Sequence, residues 1–367
     1  MTNPASIPDL VIGDLRFSPP IIQGGMGVRI SGPNLASAVS NEGALGVIAA
    51  VGTGEEMTDR NLSYLERSRV SLREMLRDTK KRTSNPIGIN IMCALRNYAD
   101  LVQVAEEEGV DVIISGAGLP LKLPGMISDP HIKLIPIVSS GKAADLICRT
   151  WKKRHNRLPD AMVVEGPRAG GHLGFKLEDL DGNPAHDLDI LVKDVLEVAA
   201  KHGGDKPIPV IAAGGVFDGK DIAHFLAIGA SGVQMGTRFV CTHECDASDA
   251  YKQAYIDSRE EDIMLIESPL GLPLRVIRNK FIDAMLSGEK EAFKCSYRCL
   301  LACDPIESNY CIAKALLNAY RGNMEHGFAI SGANAYRINK LVSVHELIEE
   351  LVRGCQEHIQ VPSALAP

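Results

Sequence analysis

Eight short apolar runs recur along the first 240 residues with helical patterns between them, and that alternation restricts the fold more than any other feature of the chain. The runs cover residues 20–23, 45–50, 87–92, 110–115, 134–138, 161–165, 210–213 and 233–235. They are continuous stretches rich in Val, Ile, Leu and Ala rather than strict polar–apolar alternations, as parallel strands covered on both faces require. Helical patterns fill intervals at 33–41, 98–108, 142–154, 190–202 and 220–228. Such units of about 30 residues predict an α/β chain folded as a (β/α)8 TIM barrel. An open doubly wound sheet is the rival, and the strand count and recurring glycines at strand ends favour the barrel.

Two stretches break the rhythm. Residues 53–84 read as a polar insertion with helical character, ending in Lys80, Lys81 and Arg82, cations suited to a helix C-terminus. Residues 241–330 are too long for one connection, and they hold helical patterns and the Pro/Gly-rich stretch 268–273. They predict a smaller, mostly helical second domain inserted after the last strand, a lid over the barrel mouth. The expected division is 1–240 for the barrel, 241–330 for the lid or substrate domain and 331–367 for a C-terminal helix returning to the barrel. Leu341, Val344, Leu347 and Leu351 carry that last helix, and 360–367 read as a loose tail.

Composition removes several classes of function. The net charge is −7 and no basic stripe interleaved with aromatics appears, so no nucleic-acid partner is expected. No apolar run approaches the length of about 20 residues that crosses a bilayer, so no membrane partner is expected. The N-terminal residues, with Pro4, Pro8 and Asp9, lack the pattern of a secretory signal. Nine cysteines, an odd number in a long chain, argue against a disulfide scaffold and for a cytoplasmic location.

The stretch Val163-Val164-Glu165-Gly166-Pro167-Arg168-Ala169-Gly170-Gly171-His172 holds the densest chemistry. An apolar strand runs into a carboxylate, a glycine-rich turn and a histidine. Glycines let backbone N–H groups approach a ligand, and an imidazole moves protons near neutral pH. Ala213-Gly214-Gly215 and Gln234-Met235-Gly236-Thr237 repeat the strand-then-glycine pattern. One Gly-Gly pair is more often a tight turn than a site; three in a barrel alternation point to a phosphate-bearing cofactor on the top face. The remaining histidines, His131, His155 and His202 among them, read as surface groups.

Cys295, Cys299, Cys303 and Cys311 invite a metal or cluster reading. On a helix the first three would share a face, but the spacing matches neither paired zinc ligands nor common ferredoxin runs. Packing is the default there, and no metal ligand is assigned. Cys241 and Cys245 flank His243, where a helix start is favoured over a metal site.

Beyond these residue-level readings, Pro20-Ile21-Ile22-Gln23-Gly24-Gly25-Met26-Gly27 resembles the opening motif of the nitronate monooxygenase (2-nitropropane dioxygenase-like) flavoproteins. Gly88-Ile89-Asn90, Ser115-Gly116-Ala117-Gly118, the Glu165–His172 stretch, Ala213-Gly214-Gly215 and Gln234 through Phe239 follow in that family's order. Arg275-Val276-Ile277-Arg278-Asn279 and Ser331-Gly332 also resemble it. The resemblance implies an FMN-dependent oxidoreductase. By that likeness Gly214, Gly215, Gly236 and Thr237 hold the phosphate, and Gly24, Gly25 and Met26 lie along the ring. Asn90 bonds the ring's polar edge, and Glu165, Gly170 and Gly171 flank the ribityl chain and ring. Without the likeness, Met26 reads as core packing and Asn90 as a capped strand end.

His172 would be the catalytic base, acting on an alkyl nitronate or nitroalkane that FMN and molecular oxygen convert to a carbonyl compound and nitrite. The same motifs resemble flavin-type enoyl-acyl-carrier-protein reductases, in which NAD(P)H is co-substrate and an enoyl thioester or quinone the acceptor. A small-molecule substrate is expected in either case, and a homodimer is the default assembly.

Overall fold

The computed structural model describes residues 6–55, 57, 61–180, 184–295 and 298–359. A hairpin of β1 (Leu10–Ile12) and β2 (Leu15–Phe17) precedes the barrel. The barrel strands are β3 (Ile21–Gln23), β4 (Gly46–Ala49), β5 (Ile87–Met92), β6 (Val112–Gly116), β7 (Lys133–Val138) and β8 (Met162–Glu165). After β9 (Gly171–His172), which stands outside the barrel, β10 (Val210–Ala213) and β11 (Gly232–Met235) complete it. They form one eight-stranded sheet in the order β3-β11-β10-β8-β7-β6-β5-β4. A parallel bridge from Ile22 to Leu45 joins the end strands and closes the ring. Each of the eight expected runs contains or overlaps one of these strands.

Residues alternate between two cores, as the two-residue period of a strand demands. Ile22, Val47, Ile114, Ile135, Val163 and Ile211 face the interior, with Leu10, Ile12 and Phe17 of the hairpin in the same cluster. Ile48, Ile89, Ile113, Leu134, Val164 and Val210 face the surrounding helices. Each fully buried side chain of this size contributes about 1.5–3 kcal/mol.

The helices around the sheet are α1 (Pro33–Asn41), α2 (Tyr64–Arg82), α3 (Tyr98–Glu107), α4 (Gly141–His155), α5 (Leu188–Gly203) and α6 (Gly219–Ile228). Local chemistry fixes their ends. Ser63 and Glu66 form a capping box at α2, Asp218 and Asp221 another at α6. Lys80 donates to the carbonyl of Glu108 at 2.6 Å, close to its expected helix-end place. The stretch read as an insertion is instead a regular part of the ring, because α2 packs between α1 and α3. After β6 the ring holds only a 3-10 turn, Leu123–Met126, which contacts α3 and α4.

Beyond β11 come α7 (Thr237–Val240), α8 (Asp249–Ile256), β12 (Ile263–Glu267), β13 (Pro273–Ile277), α9 (Lys280–Leu286) and α10 (Ile312–Tyr320). This segment is not purely helical: β12 and β13 pair antiparallel, and β13 pairs in turn with β9. α11 (Val344–His358) returns to pack on α6 and α1. Residues 360–367 lie outside the described residues.

Three local expectations change. Cys299 and Cys303 lie on an extended strap, not a helix; Leu300 bridges Leu95, Arg96 N donates to the Cys299 carbonyl, and Leu301 N donates to that of Ala94. Backbone groups spent on a neighbouring loop are lost to a helix ladder. Cys241 follows a helix instead of starting one, and the Cys241 and Cys245 thiols donate to the Lys252 and Ile30 carbonyls. His155 and His202 are half-buried, His202 against Asp145 at 2.8 Å. Among the described residues no group of three or more His, Cys, Asp or Glu is arranged to hold a metal.

Candidate active site

The parity that fills the barrel interior also chooses what stands at its mouth. Val163 and Ile211 face in, so Glu165 and Ala213, two residues on, face in as well. Ile89 and Ile91 face the helices, which turns Asn90 inward, and Val233 and Met235 do the same for Gln234. Register then sets Glu165 and Gln234 on either side of Ala213 across three adjacent strands. A small residue between two polar ones leaves a flat polar floor at the C-terminal ends of the strands, where barrel active sites lie.

One cavity covers that floor, and every residue assigned from sequence to the cofactor or to catalysis lines it: Gly24, Gly25, Met26 and Asn90 from the first half, Glu165, Gly170, Gly171 and His172 from β8, β9 and the turn between them, and Gly214, Gly215, Gly236 and Thr237 from the ends of β10 and β11. Several glycines are demanded by space or conformation. A Cβ on Gly25 would sit 2.3 Å from that of Asn90. Gly214 and Gly215 have φ of +91° and +102°. Short α7 starts directly after Gly236. Glycine-rich ends on the last two strands, followed by a short extra helix, are how barrels build a phosphate site.

His172 reaches this cavity from β9, whose pairing with Leu274 on β13 fixes its backbone. Its Nε2 is buried with no hydrogen-bond partner, as are Gln234 Oε1 and Ser331 Oγ on the same cavity wall. Burial pulls the imidazole pKa down to about 4 and pushes the Glu165 carboxyl up to about 7. His172 is therefore neutral at pH 7, and Glu165 keeps its proton to near neutrality.

Sequence reasoning gave no role to several residues the structure gathers here. Arg168 lines the cavity beside Gly215 and donates to Asn334 Oδ1 at 3.0 Å; Asn334 donates onward to the Gly215 carbonyl at 2.7 Å. Arg275 is buried and bonds only carbonyls of the β8–β9 turn among the described side-chain bonds. Neither guanidinium has a carboxylate partner among the described residues. Their mutual repulsion adds to burial in lowering the Arg275 pKa to about 10. A cation beside a glycine cradle, with no carboxylate partner among the described residues, leaves room for an anion.

Another part of the cavity wall is different. Tyr251, Tyr255, Leu300, Ile312 and Leu316 form it. Both tyrosine hydroxyls donate to the Ile330 carbonyl, which leaves ring surface for a ligand.

A closed barrel with a polar floor, a glycine-rich anion cradle and a neutral histidine is the frame of a barrel enzyme that binds a phosphorylated cofactor. A family model described as nitronate monooxygenase matches residues 10–354, so the chain belongs to the nitronate monooxygenase family and is an oxidoreductase of the flavoprotein type. It is 29% identical, over 94% of this chain and 95% of the relative, to a Mycobacterium tuberculosis (3aS,4S,5R,7aS)-5-hydroxy-7a-methyl-1-oxo-octahydro-1H-indene-4-carboxyl-CoA dehydrogenase. It is 27% identical, over 95% of this chain and 97% of the relative, to a probable nitronate monooxygenase of Staphylococcus saprophyticus. The solved structure of FabK from Thermotoga maritima superposes with a TM-score of 0.73 at 30% identity, covering 93% of each chain. Among the described residues no helix is long and apolar enough to cross a membrane.

Proposed function

We propose that the cavity holds FMN at its glycine-rich end and an uncharged acyl compound, a thioester-activated enoyl or acyl group, at its apolar end. A nicotinamide nucleotide is the proposed electron partner. The three buried polar atoms without partners and the uncompensated Arg168 support the fit of a planar, polar-edged ligand carrying a phosphate. In this reading Gly214, Gly215, Gly236 and Thr237 hold the phosphate with Arg168 nearby, while Gly24, Gly25 and Met26 line the ring. Asn90, Gln234 and Glu165 offer hydrogen bonds to its polar edge, and Gly170 and Gly171 let the turn approach. FMN supplies hydride or single-electron transfer when bound. His172, neutral and aimed into the cavity, moves a proton at Nε2. The barrel carries the cofactor, residues 241–330 act as the substrate-binding lid, and α11 returns to the barrel.

The observation that carries the choice of substrate is the wall of the apolar end. Among the described lining residues the sole Lys or Arg is Arg168, and it lies at the glycine end. A nitronate anion desolvated against Tyr251, Ile312 and Leu316 would meet a neutral imidazole and neutral hydroxyls but no cation there, a burial that costs several kcal/mol. A neutral thioester carries no such penalty. Motifs alone favour nitronate oxidation; the wall reverses that order. Nitronate oxidation with molecular oxygen stands as the second reading, favoured by the family description and the Staphylococcus relative.

An anaerobic absorbance titration of the purified protein separates the two. Rapid bleaching of the flavin band by NADH or NADPH, with recolouring on adding an enoyl thioester, is the expected result. A flavin indifferent to both nucleotides but reduced by an alkyl nitronate would replace the first reading with the second. The His172→Ala variant is expected to keep its flavin and lose about 10²–10⁴-fold in turnover.

A further inference from the structure

Arg275 stands where a charged side chain is hardest to explain. It occupies the middle of β13, in the run Pro273-Leu274-Arg275-Val276-Ile277, with 8% of its surface exposed. A buried guanidinium is ordinarily matched by a carboxylate. None faces it among the described residues. Its Nη1 instead donates to the carbonyls of Pro167, at 2.9 Å, and Ala169. Those two carbonyls belong to the turn between Glu165 and His172. Its own backbone joins the same structure, because Arg275 pairs with Gly171, Leu274 pairs with His172, and Ser331 N donates to the Arg275 carbonyl at 3.1 Å.

Single bonds hold the turn elsewhere: Ala169 N donates to the Gly166 carbonyl at 3.2 Å, Ala333 N to the Arg168 carbonyl at 3.1 Å, and Arg168 to Asn334 Oδ1 at 3.0 Å. Gly170 and Gly171 lack side chains, Gly171 has φ of +82°, and two residues of β9 make a minimal strand. Left alone, a turn with two adjacent glycines samples many conformations. Charge-assisted bonds from one guanidinium nitrogen to two of its carbonyls select one of them.

We propose that Arg275 is the positioning residue of this site: by gripping the Pro167 and Ala169 carbonyls it fixes the turn that presents His172 to the cavity. Arg275 does not touch the reacting atoms. Its role rests on the reading of His172 as the proton-moving group, yet the test below observes the imidazole itself. Failure here would leave that reading intact, and failure of that reading in turnover assays would leave this geometry intact.

A loosened turn lets water reach the ring, and hydration moves a buried imidazole back toward its ordinary titration range. The other ionisable groups lining the cavity are Glu165 on β8, Arg168 on the turn itself, Tyr64 on α2, Tyr251 and Tyr255 on α8, and the Cys299 thiol on the strap; none of them is altered by the test. The experiment is a histidine-selective NMR pH titration of the purified full chain, with His172→Gln identifying the resonance. Wild-type His172 is expected to titrate near pH 4, well below free histidine. In Arg275→Met its midpoint is expected to rise by more than one pH unit, with flavin absorbance and cooperative melting retained. Arg275→Lys, which keeps the charge on a shorter side chain that does not reach the Nη1 position, should fall between. An unmoved His172 midpoint in folded Arg275→Met would overturn the proposal. If that variant fails to fold, Arg275→Lys decides alone: a raised midpoint supports the role, and a wild-type one removes it.

Discussion

The two ends of the cavity are built on opposite principles. At the glycine end, backbone and charge dominate: Gly214, Gly215 and Gly236 strip side chains away, and Arg168 supplies positive charge with no carboxylate partner among the described residues. At the apolar end, side chains are everything: Ile312, Leu316 and the ring faces of Tyr251 and Tyr255 make an apolar wall. The first end comes from the barrel strands, the second largely from the segment after the last strand. A rigid end that holds one phosphate-bearing group can serve many chemistries, and an apolar end whose shape changes readily then selects the substrate. That contrast explains how relatives bearing the names of a CoA-thioester dehydrogenase and a nitronate monooxygenase resemble the chain about equally.

The sharpest way to break the contrast is to place a side chain in the cradle. In Gly214→Ala the new Cβ would stand 2.9 Å from the Gly166 carbonyl oxygen, at a φ of +91°. A non-glycine residue held in that backbone region costs about 1–3 kcal/mol, and the contact adds to it. The purified variant is expected to be nearly colourless, with flavin affinity reduced at least 100-fold in a fluorescence titration. Gly271→Ala is the control, because its φ is +69° but nothing lies within 4 Å of the added Cβ. It should lose some melting temperature and none of its flavin. Equal flavin loss in both variants would mean that strain, not the cradle, is responsible.

A second test concerns the floor, where Glu165 and His172 oppose each other across pH. The folded protein holds the Glu165 proton up to about 7 against an ordinary 4.5, so in that window the native state binds more protons than the unfolded chain and stability falls as pH rises. For His172 the native imidazole stays neutral down to about 4 against an ordinary 6.5, so stability rises with pH through that window. The slopes largely cancel in the wild type over the shared range, and single substitutions unmask them. Cofactor-free Glu165→Gln should gain stability relative to wild type between pH 5 and 8, by up to about 3 kcal/mol in urea unfolding. His172→Gln should gain relative to wild type as pH falls from 7 to 4. A difference that stays flat with pH in either variant would show that the group is solvated, and the floor less sealed than its geometry implies.

How far such a site can be read from sequence depends on how strongly each residue marks its place. The barrel strands are legible because strands buried on both faces leave uninterrupted apolar runs such as Ile87–Met92. The cradle is legible because glycines follow those runs. α2 is disguised as an insertion because Ser68, Ser71 and Thr79 share its buried face with Leu72, Met75 and Leu76, which dilutes the helical period. β9 is invisible, since two residues, Gly171 and His172, carry no period at all. The strap through Cys299 and Cys303 mimics a helix only in its spacing; its partners lie some 200 residues away, at Ala94 and Arg96. Arg275 did leave a mark. A guanidinium inside an otherwise apolar run asks for a buried acceptor, and the run alone does not say where it is.

The smallest expected effect probes the apolar end. Ile312 opens α10, is 4% exposed and lines the cavity. Ile312→Val removes one methylene from the wall, a change that typically costs about 0.5–1.5 kcal/mol of stability. In the proposed reading the flavin rests on the glycine-rich strand ends and not on α10, so flavin affinity and the rate of reduction by a nicotinamide nucleotide should be unchanged. A single methylene in an apolar pocket is worth about 1–3 kcal/mol of discrimination, so KM should shift at least several-fold across a series of acyl thioesters of increasing length. The direction of that shift is informative: a gain for the longer members and a loss for the shorter ones would mean that Ile312 sets the depth of the chamber. A uniform change across the series would instead place the acyl group elsewhere, and a change in flavin reduction with none in KM would mean that the two ends do not divide the work between cofactor and substrate.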